Sequence, residues 1–157
     1  MGRVIAPDYR VSQAGVDDCA EVAAFLWAAW SAVDHDAEAF KSFTDEWVHH
    51  IASVEHLEER LCGEATPVLV VRAAGAIVGV AALESRPNAT IEVAEILVHP
   101  LAAHTGVGSL LLKASLQHAR RINAKRIVAR AEDDDGRDFF RHRGFRSVDG
   151  RMLERRP

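Results

Sequence analysis

The period of the hydrophobic pattern changes several times along the 157 residues, and each change marks an element. Tyr9-Arg10-Val11-Ser12 reads as a short strand. From Asp17 to Ala32 the apolar positions Val22, Phe25, Leu26, Ala29 and Trp30 recur at helical spacing, behind acidic residues that suit a helix N-terminus. A second helix is predicted over roughly 37–61, with Trp47, Ile51, Val54, Leu57, Glu58 and Leu61 on one face and Gly63 as its stop. Val68-Leu69-Val70-Val71 and the run from Ile77 to Leu83 are apolar strands joined through Ala73-Ala74-Gly75-Ala76, a hairpin. After a turn at Pro87-Asn88, Thr90 to Val98 forms a third long strand. Gly106 to Ala124 is a helix with Leu110, Leu111, Ala114 and Leu116 toward the core, and Arg126 to Ala131 is another strand. A short helix from about Gly136 to Arg143 stops at Gly144, and one or two weak strands finish the chain. The order β-α-α-β-β-β-α-β-α-β predicts an α/β fold with a mixed central sheet flanked by about four helices. No repeat or linker interrupts it, so residues 1–157 are expected to form a single domain.

Composition narrows the setting. Apolar residues make up 48% of the chain and charged residues 27%, as in an ordinary globular protein. No apolar run approaches the ~20 residues needed to cross a bilayer, and MGRVIAPDYR lacks the apolar stretch of a secretion signal. A cytoplasmic protein with no membrane partner is expected. Cys19 and Cys62 are far apart, which predicts two reduced, mostly buried thiols. The histidines at 35, 49, 50 and 56 do not place three ligands on one helical face, so no metal is expected. A net charge of −4 argues against nucleic acid as the main partner. The charge is uneven: twelve acids face Lys41 and Arg60 between Asp17 and Glu64, whereas twelve Lys and Arg outnumber seven acids from Arg120 onward. Such blocks read first as solvated faces. The functional alternative is an acidic acceptor side and a basic side near an anionic cofactor.

The chemistry concentrates where a strand ends at Ile96-Leu97-Val98-His99-Pro100 and a helix opens at Gly106-Val107-Gly108. The first turn of a helix has unpaired N–H groups and partial positive charge, and glycines let a ligand approach them, so the segment suits a pyrophosphate. Leu111 holds the last place of the pattern Gly-x-Gly-x-x-Gly, which disfavours a dinucleotide cofactor.

Val98-His99-Pro100 followed by Gly106-Val107-Gly108 resembles the acyl-CoA-binding motif of the GNAT superfamily, Arg/Gln-x-x-Gly-x-Gly/Ala. Phe139-Phe140-Arg141-His142-Arg143-Gly144-Phe145 resembles its second motif, an aromatic pair followed by Gly-Phe. The likeness spans nearly the whole chain, from about Tyr9 to Leu153. It implies a GNAT fold and an acetyl-CoA-dependent N-acetyltransferase, with backbone groups of Ile96, Leu97 and Val98 pairing with the pantetheine arm. It further implies that His104, Thr105, Gly106, Val107, Gly108 and Ser109 wrap the pyrophosphate, that Asp133 touches the cofactor, and that Phe139 and Phe140 flank the pantetheine. Dimers are common in that family, which makes a homodimer an expectation.

The chain departs from the pattern in two ways. Ala103 sits where the motif has Arg or Gln and Thr105 where a second Arg is common, so side-chain support for the phosphates is reduced, with His104 a substitute. Phe140 occupies the place of a Tyr that protonates the leaving thiolate, and the only tyrosine, Tyr9, is poorly placed on the first strand to replace it. A thiol of pKa roughly 8.5 can still leave as the thiolate. An acceptor amine near pKa ~10 must instead lose a proton, and Glu92 and Glu95 are the candidate bases, with Glu84 a third. In a regular strand Glu92 and Glu95 face opposite sides, so only one enters the cleft unless a bulge intervenes.

Trp27, Trp30 and Trp47 read first as core residues at helical spacing. In the resembling family those helices and their connection, here with Asp34, His35 and Asp36, wall the acceptor site. Trp27, Trp30, Asp34 and His35 would then suit a cationic amine, whether a small molecule or a peptide. The alternative reading is a module of the same fold that senses an acyl-CoA without turning it over.

Overall fold

Alternation and helical period both reappear as elements in the computed structural model, which describes residues 7–32, 54–62, 67–131 and 133–157, with side chains at all of these except 29–32 and 54–56. Strand β1 (Tyr9–Gln13) leads through one turn of 3-10 helix (Val16–Asp18) into α1 (Cys19–Ala32). Asp18 fixes that turn by accepting the Gly15 N–H at 2.8 Å. Helix α2 (Val54–Cys62) is the described part of the second predicted helix; Trp47 and Ile51 lie outside the described residues. Leu57 and Leu61 bury one face of α2, while Glu58, predicted to share it, is exposed. One residue along a helix is a turn of about 100°, enough to leave the face. Cys19 is buried as expected, but Cys62, at the end of α2, is exposed.

The hairpin follows as β2 (Val68–Ala73) and β3 (Ala76–Arg86), then β4 (Thr90–Val98), α3 (Val107–Arg121), β5 (Arg126–Arg130), α4 (Asp134–Arg141), β6 (Arg146–Asp149) and β7 (Met152–Arg155). β3 runs three residues past its apolar stretch because Glu84, Ser85 and Arg86 find ladder partners in Glu92, Ile91 and Thr90. α4 starts earlier than predicted because Asp133 caps it, its Oδ1 accepting the Gly136 N–H at 2.7 Å.

The seven strands form one mixed sheet in the order β1-β2-β3-β4-β5-β7-β6. Among the described residues only β4 and β5 are parallel, joined by the crossover helix α3. α3 covers one face, packing Leu111, Leu112 and Leu116 on Leu69, Val71, Leu83, Val93 and Ile127, with Phe140 and Phe145 beside it. α1 and α2 cover the other, packing Val22, Leu26 and Leu57 on Val68, Val70, Val80 and Ala82. The sheet centre is buried on both sides, which is why β2 and β3 read as unbroken apolar runs. Among the described residues, no helix is long and apolar enough to cross a membrane.

Two irregularities shape the C-terminal half of β4. Its register with β3 passes from Leu83↔Val93 to Ala82↔Glu95, so Ala94 is an extra residue and forms a bulge. Its pairing with β5 runs only from Thr90↔Arg126 to Val93↔Ala129 and stops at that bulge. β5 continues against β7 to Arg130, so the two parallel strands part company there.

Candidate active site

The bulge decides where the carboxylates point. Glu95 stands opposite Ala82 and Glu92 opposite Glu84, and both partners belong to the sheet face under α1 and α2. The extra residue thus brings Glu92 and Glu95 to the same face, three positions apart. Their surroundings differ. Arg86 Nε donates to Glu92, and the same guanidinium reaches Glu84 at 2.9 Å. Arg60 of α2 meets Glu84 at 3.4 Å and donates to the Leu83 carbonyl at 3.0 Å. Directly opposed carboxylates repel, and Arg86 bridges them.

Glu95 has no cation partner among the described residues. It keeps partial access to solvent, yet burial dominates and pushes its carboxyl up to about 8, against a smaller opposing effect of the Ile96 N–H that it accepts. Its setting thus moves its proton affinity toward neutral pH, where a base for an amine is needed.

Beyond Glu95 the free edge of β4 carries Ile96, Leu97 and Val98, all half-buried, straight into the loop before α3. Ile96 and Val98 pack toward α3 and Leu97 toward α1 and α2. A short turn at Pro100–Ala102 follows, in which His99 Nδ1 accepts the Leu101 N–H at 3.1 Å. His104 takes a left-handed backbone at φ 60° and Gly106 at φ 96°. Gly106 has no side chain to cap α3 and no acid lies in its first turn, so among the described residues no capping carboxylate answers the N-terminal N–H groups of Val107, Gly108 and Ser109. A Cβ at Gly106 would meet nothing within 4 Å, so the glycine is needed for its backbone angle, whereas a Cβ on Gly108 would come within 3.2 Å of the Phe139 ring.

Several of the expected contact residues already have partners. Phe139 packs edge-on against Phe140 at 5.2 Å, and Phe140 is buried against Phe145. Asp133 is engaged as the cap of α4. Arg143, which the sequence pattern did not single out, stacks 3.9 Å over Phe139 and donates from Nε to Ser109 Oγ at 3.1 Å. It brings a fixed cation to the first turn of α3, where Ala103 and Thr105 supply none. Its position just before the Gly-Phe pair, at the end of a short helix facing α3, was the available signal.

Trp27 is 43% exposed on α1 and so is no core residue. The side chain of Trp30, with Asp34, His35 and the histidines at 49 and 50, lies outside the described residues, as does the side chain of His56. Among the described residues no group of three His, Cys, Asp or Glu could hold a metal ion.

A family model described as the acetyltransferase (GNAT) domain matches residues 17–156. The chain belongs to the GNAT acetyltransferase family. Solved structures share the fold at low identity. A PaiA N-acetyltransferase from Thermoplasma acidophilum, in complex with coenzyme A, is 14% identical with a TM-score of 0.74, over 96% of this chain and 99% of that one. A GCN5-related N-acetyltransferase from Rhodopseudomonas palustris is 19% identical at TM-score 0.75, over 99% and 100%. A GNAT family acetyltransferase from Brucella melitensis, in complex with acetyl-CoA, is 16% identical at TM-score 0.65, over 94% and 87%. No curated protein matches the sequence. The seven-stranded mixed sheet with its helices on both faces is thus the GNAT fold, and the parting of β4 from β5 lies within it.

Proposed function

We propose that this GNAT domain transfers an acetyl group from acetyl-CoA to a primary amine, of a small molecule or a peptide, by direct attack in a ternary complex. The observation that carries the reading is the opened edge of β4, which joins a half-buried Glu95, without a cation partner among the described residues, to a helix N-terminus with no capping side chain among them, through the segment from His99 to Gly106. Coenzyme A complexes of the Thermoplasma and Brucella proteins support the choice of donor.

In this reading the peptide groups of Ile96, Leu97 and Val98 hold the pantetheine arm, and the N–H groups from His104 to Ser109 hold the pyrophosphate. Phe139 borders the arm, while the buried Phe140 supports Phe139. The amine nitrogen attacks the thioester carbonyl carbon, the C–S bond breaks, and the thiolate leaves unaided by Phe140. Glu95 takes the proton of the amine, directly or through water. A carboxylate titrating near 8 is a far better match to an amine than one near 4. Glu92, held by Arg86, is left to shape the floor of the acceptor side.

Calorimetric titration with acetyl-CoA tests this, followed by thiol release with a panel of amines. Micromolar binding is expected, weakened at least tenfold by Gly106→Val. A Cβ there meets no atom within 4 Å, so a loss reports the backbone angle. Absence of binding would sink the reading. The buried Phe140 favours one competitor, an acyl-CoA sensor, which predicts binding with no thiol release for any amine.

A further inference from the structure

We propose that Tyr9 is a positioning residue for the donor-binding loop, locking it from the edge strand β1. The inference rests on the reading of that loop as the pyrophosphate site. Tyr9 Oη lies 2.7 Å from Thr105 Oγ1, a contact across 96 residues of sequence. Thr105 Oγ1 in turn donates to the Ala102 carbonyl at 2.5 Å. A threonine hydroxyl has one proton, and that one is spent on Ala102. Tyr9 must therefore be the donor, which gives a one-way relay from Tyr9 to Thr105 to Ala102.

The relay spans the segment that needs support. Between Ala102 and Gly106 the chain takes two left-handed turns, one of them at His104, where a Cβ makes that conformation unfavourable. Thr105 sits between them. Ala103 has no polar side chain, and His104 makes no side-chain hydrogen bond among the described residues. Tyr9 itself is held firmly: its backbone pairs with Ala73 and its ring packs against the core beneath α3. A threonine pinned from β1 thus takes over the ordering of a loop that has no arginine to be ordered around its ligand. A pre-shaped loop loses less freedom on binding, so the effect falls on donor affinity and leaves the chemical step untouched.

Tyr9→Phe removes only the hydroxyl. Its Kd and KM for acetyl-CoA are expected to rise about 3- to 10-fold, the range of one lost hydrogen bond, with kcat within about twofold of wild type. Thr105→Val is expected to match it, and the double variant to be no worse than either single one. Tyr9 is the only tyrosine, so 3-fluorotyrosine labelling gives one fluorine resonance. That resonance is expected to move in Thr105→Val and on saturation with coenzyme A. Wild-type affinity in Tyr9→Phe overturns this inference alone. A fall in kcat at unchanged affinity also overturns it, since Tyr9 would then act at the reacting atoms. Failure of the wild-type protein to bind coenzyme A overturns the acetyl-transfer reading, and this one with it.

Discussion

At the scale of single residues, Glu95 links both stability and turnover to pH. Its carboxyl titrates at about 8 in the folded chain and near 4.5 in the unfolded one. Between those values the native state holds a proton that the unfolded state has released, so stability falls as pH rises from about 4.5 to 8. Glu95→Gln removes that slope. The variant is expected to melt several degrees above wild type at about pH 8 and close to it at about pH 5, as scanning calorimetry would record. Its kcat is expected to fall by roughly 10²–10⁴, and the limb of the wild-type pH profile that rises toward about pH 8 to vanish with it. Unaltered turnover in Glu95→Gln would return the role of base to Glu92. The sequence offered both carboxylates but could not choose between them, because the choice depends on Arg86. That arginine precedes Glu92 by six residues and meets it only once the β3–β4 turn is folded. Tyr9 was hidden for a similar reason: nothing local to β1 signals a contact with Thr105.

Elements were far easier to read than sites. The helix over Val107–Arg121 and the strand over Thr90–Val98 follow from apolar period alone, since each buries a continuous face. A bulge leaves no such trace, because Ala94 is small and apolar like many strand residues. The structure makes its role testable. Deleting Ala94 restores a regular ladder and keeps Val93, Glu95, Ile96 and Leu97 on the faces that they already occupy. The deletion variant is therefore expected to fold, with circular dichroism unchanged. A straightened β4 would stay beside β5, however, and acetyl-CoA affinity is expected to drop at least tenfold by calorimetry. Wild-type affinity in the deletion variant would show that the strands part for another reason.

The whole molecule was legible as an α/β layer fold from its order of elements, but the sheet order was not, since β7 inserts between β5 and β6 and nothing in the weak C-terminal pattern encodes that. Taken together, β1 to β4 make one blade and β5 to β7 another, and between the strands they meet along only four rungs, Thr90 to Val93 against Arg126 to Ala129. Backbone pairing holds the two together least at this seam, although α3 packs across both, so its amides are the ones expected to report any local opening there. Anything lodged in the slot beyond the last rung acts as a splint. Amide hydrogen exchange at Ile127 to Ala129 should then slow when acetyl-CoA is added, at residues remote from the loop before α3, while the β2–β3 hairpin exchanges at its former rate.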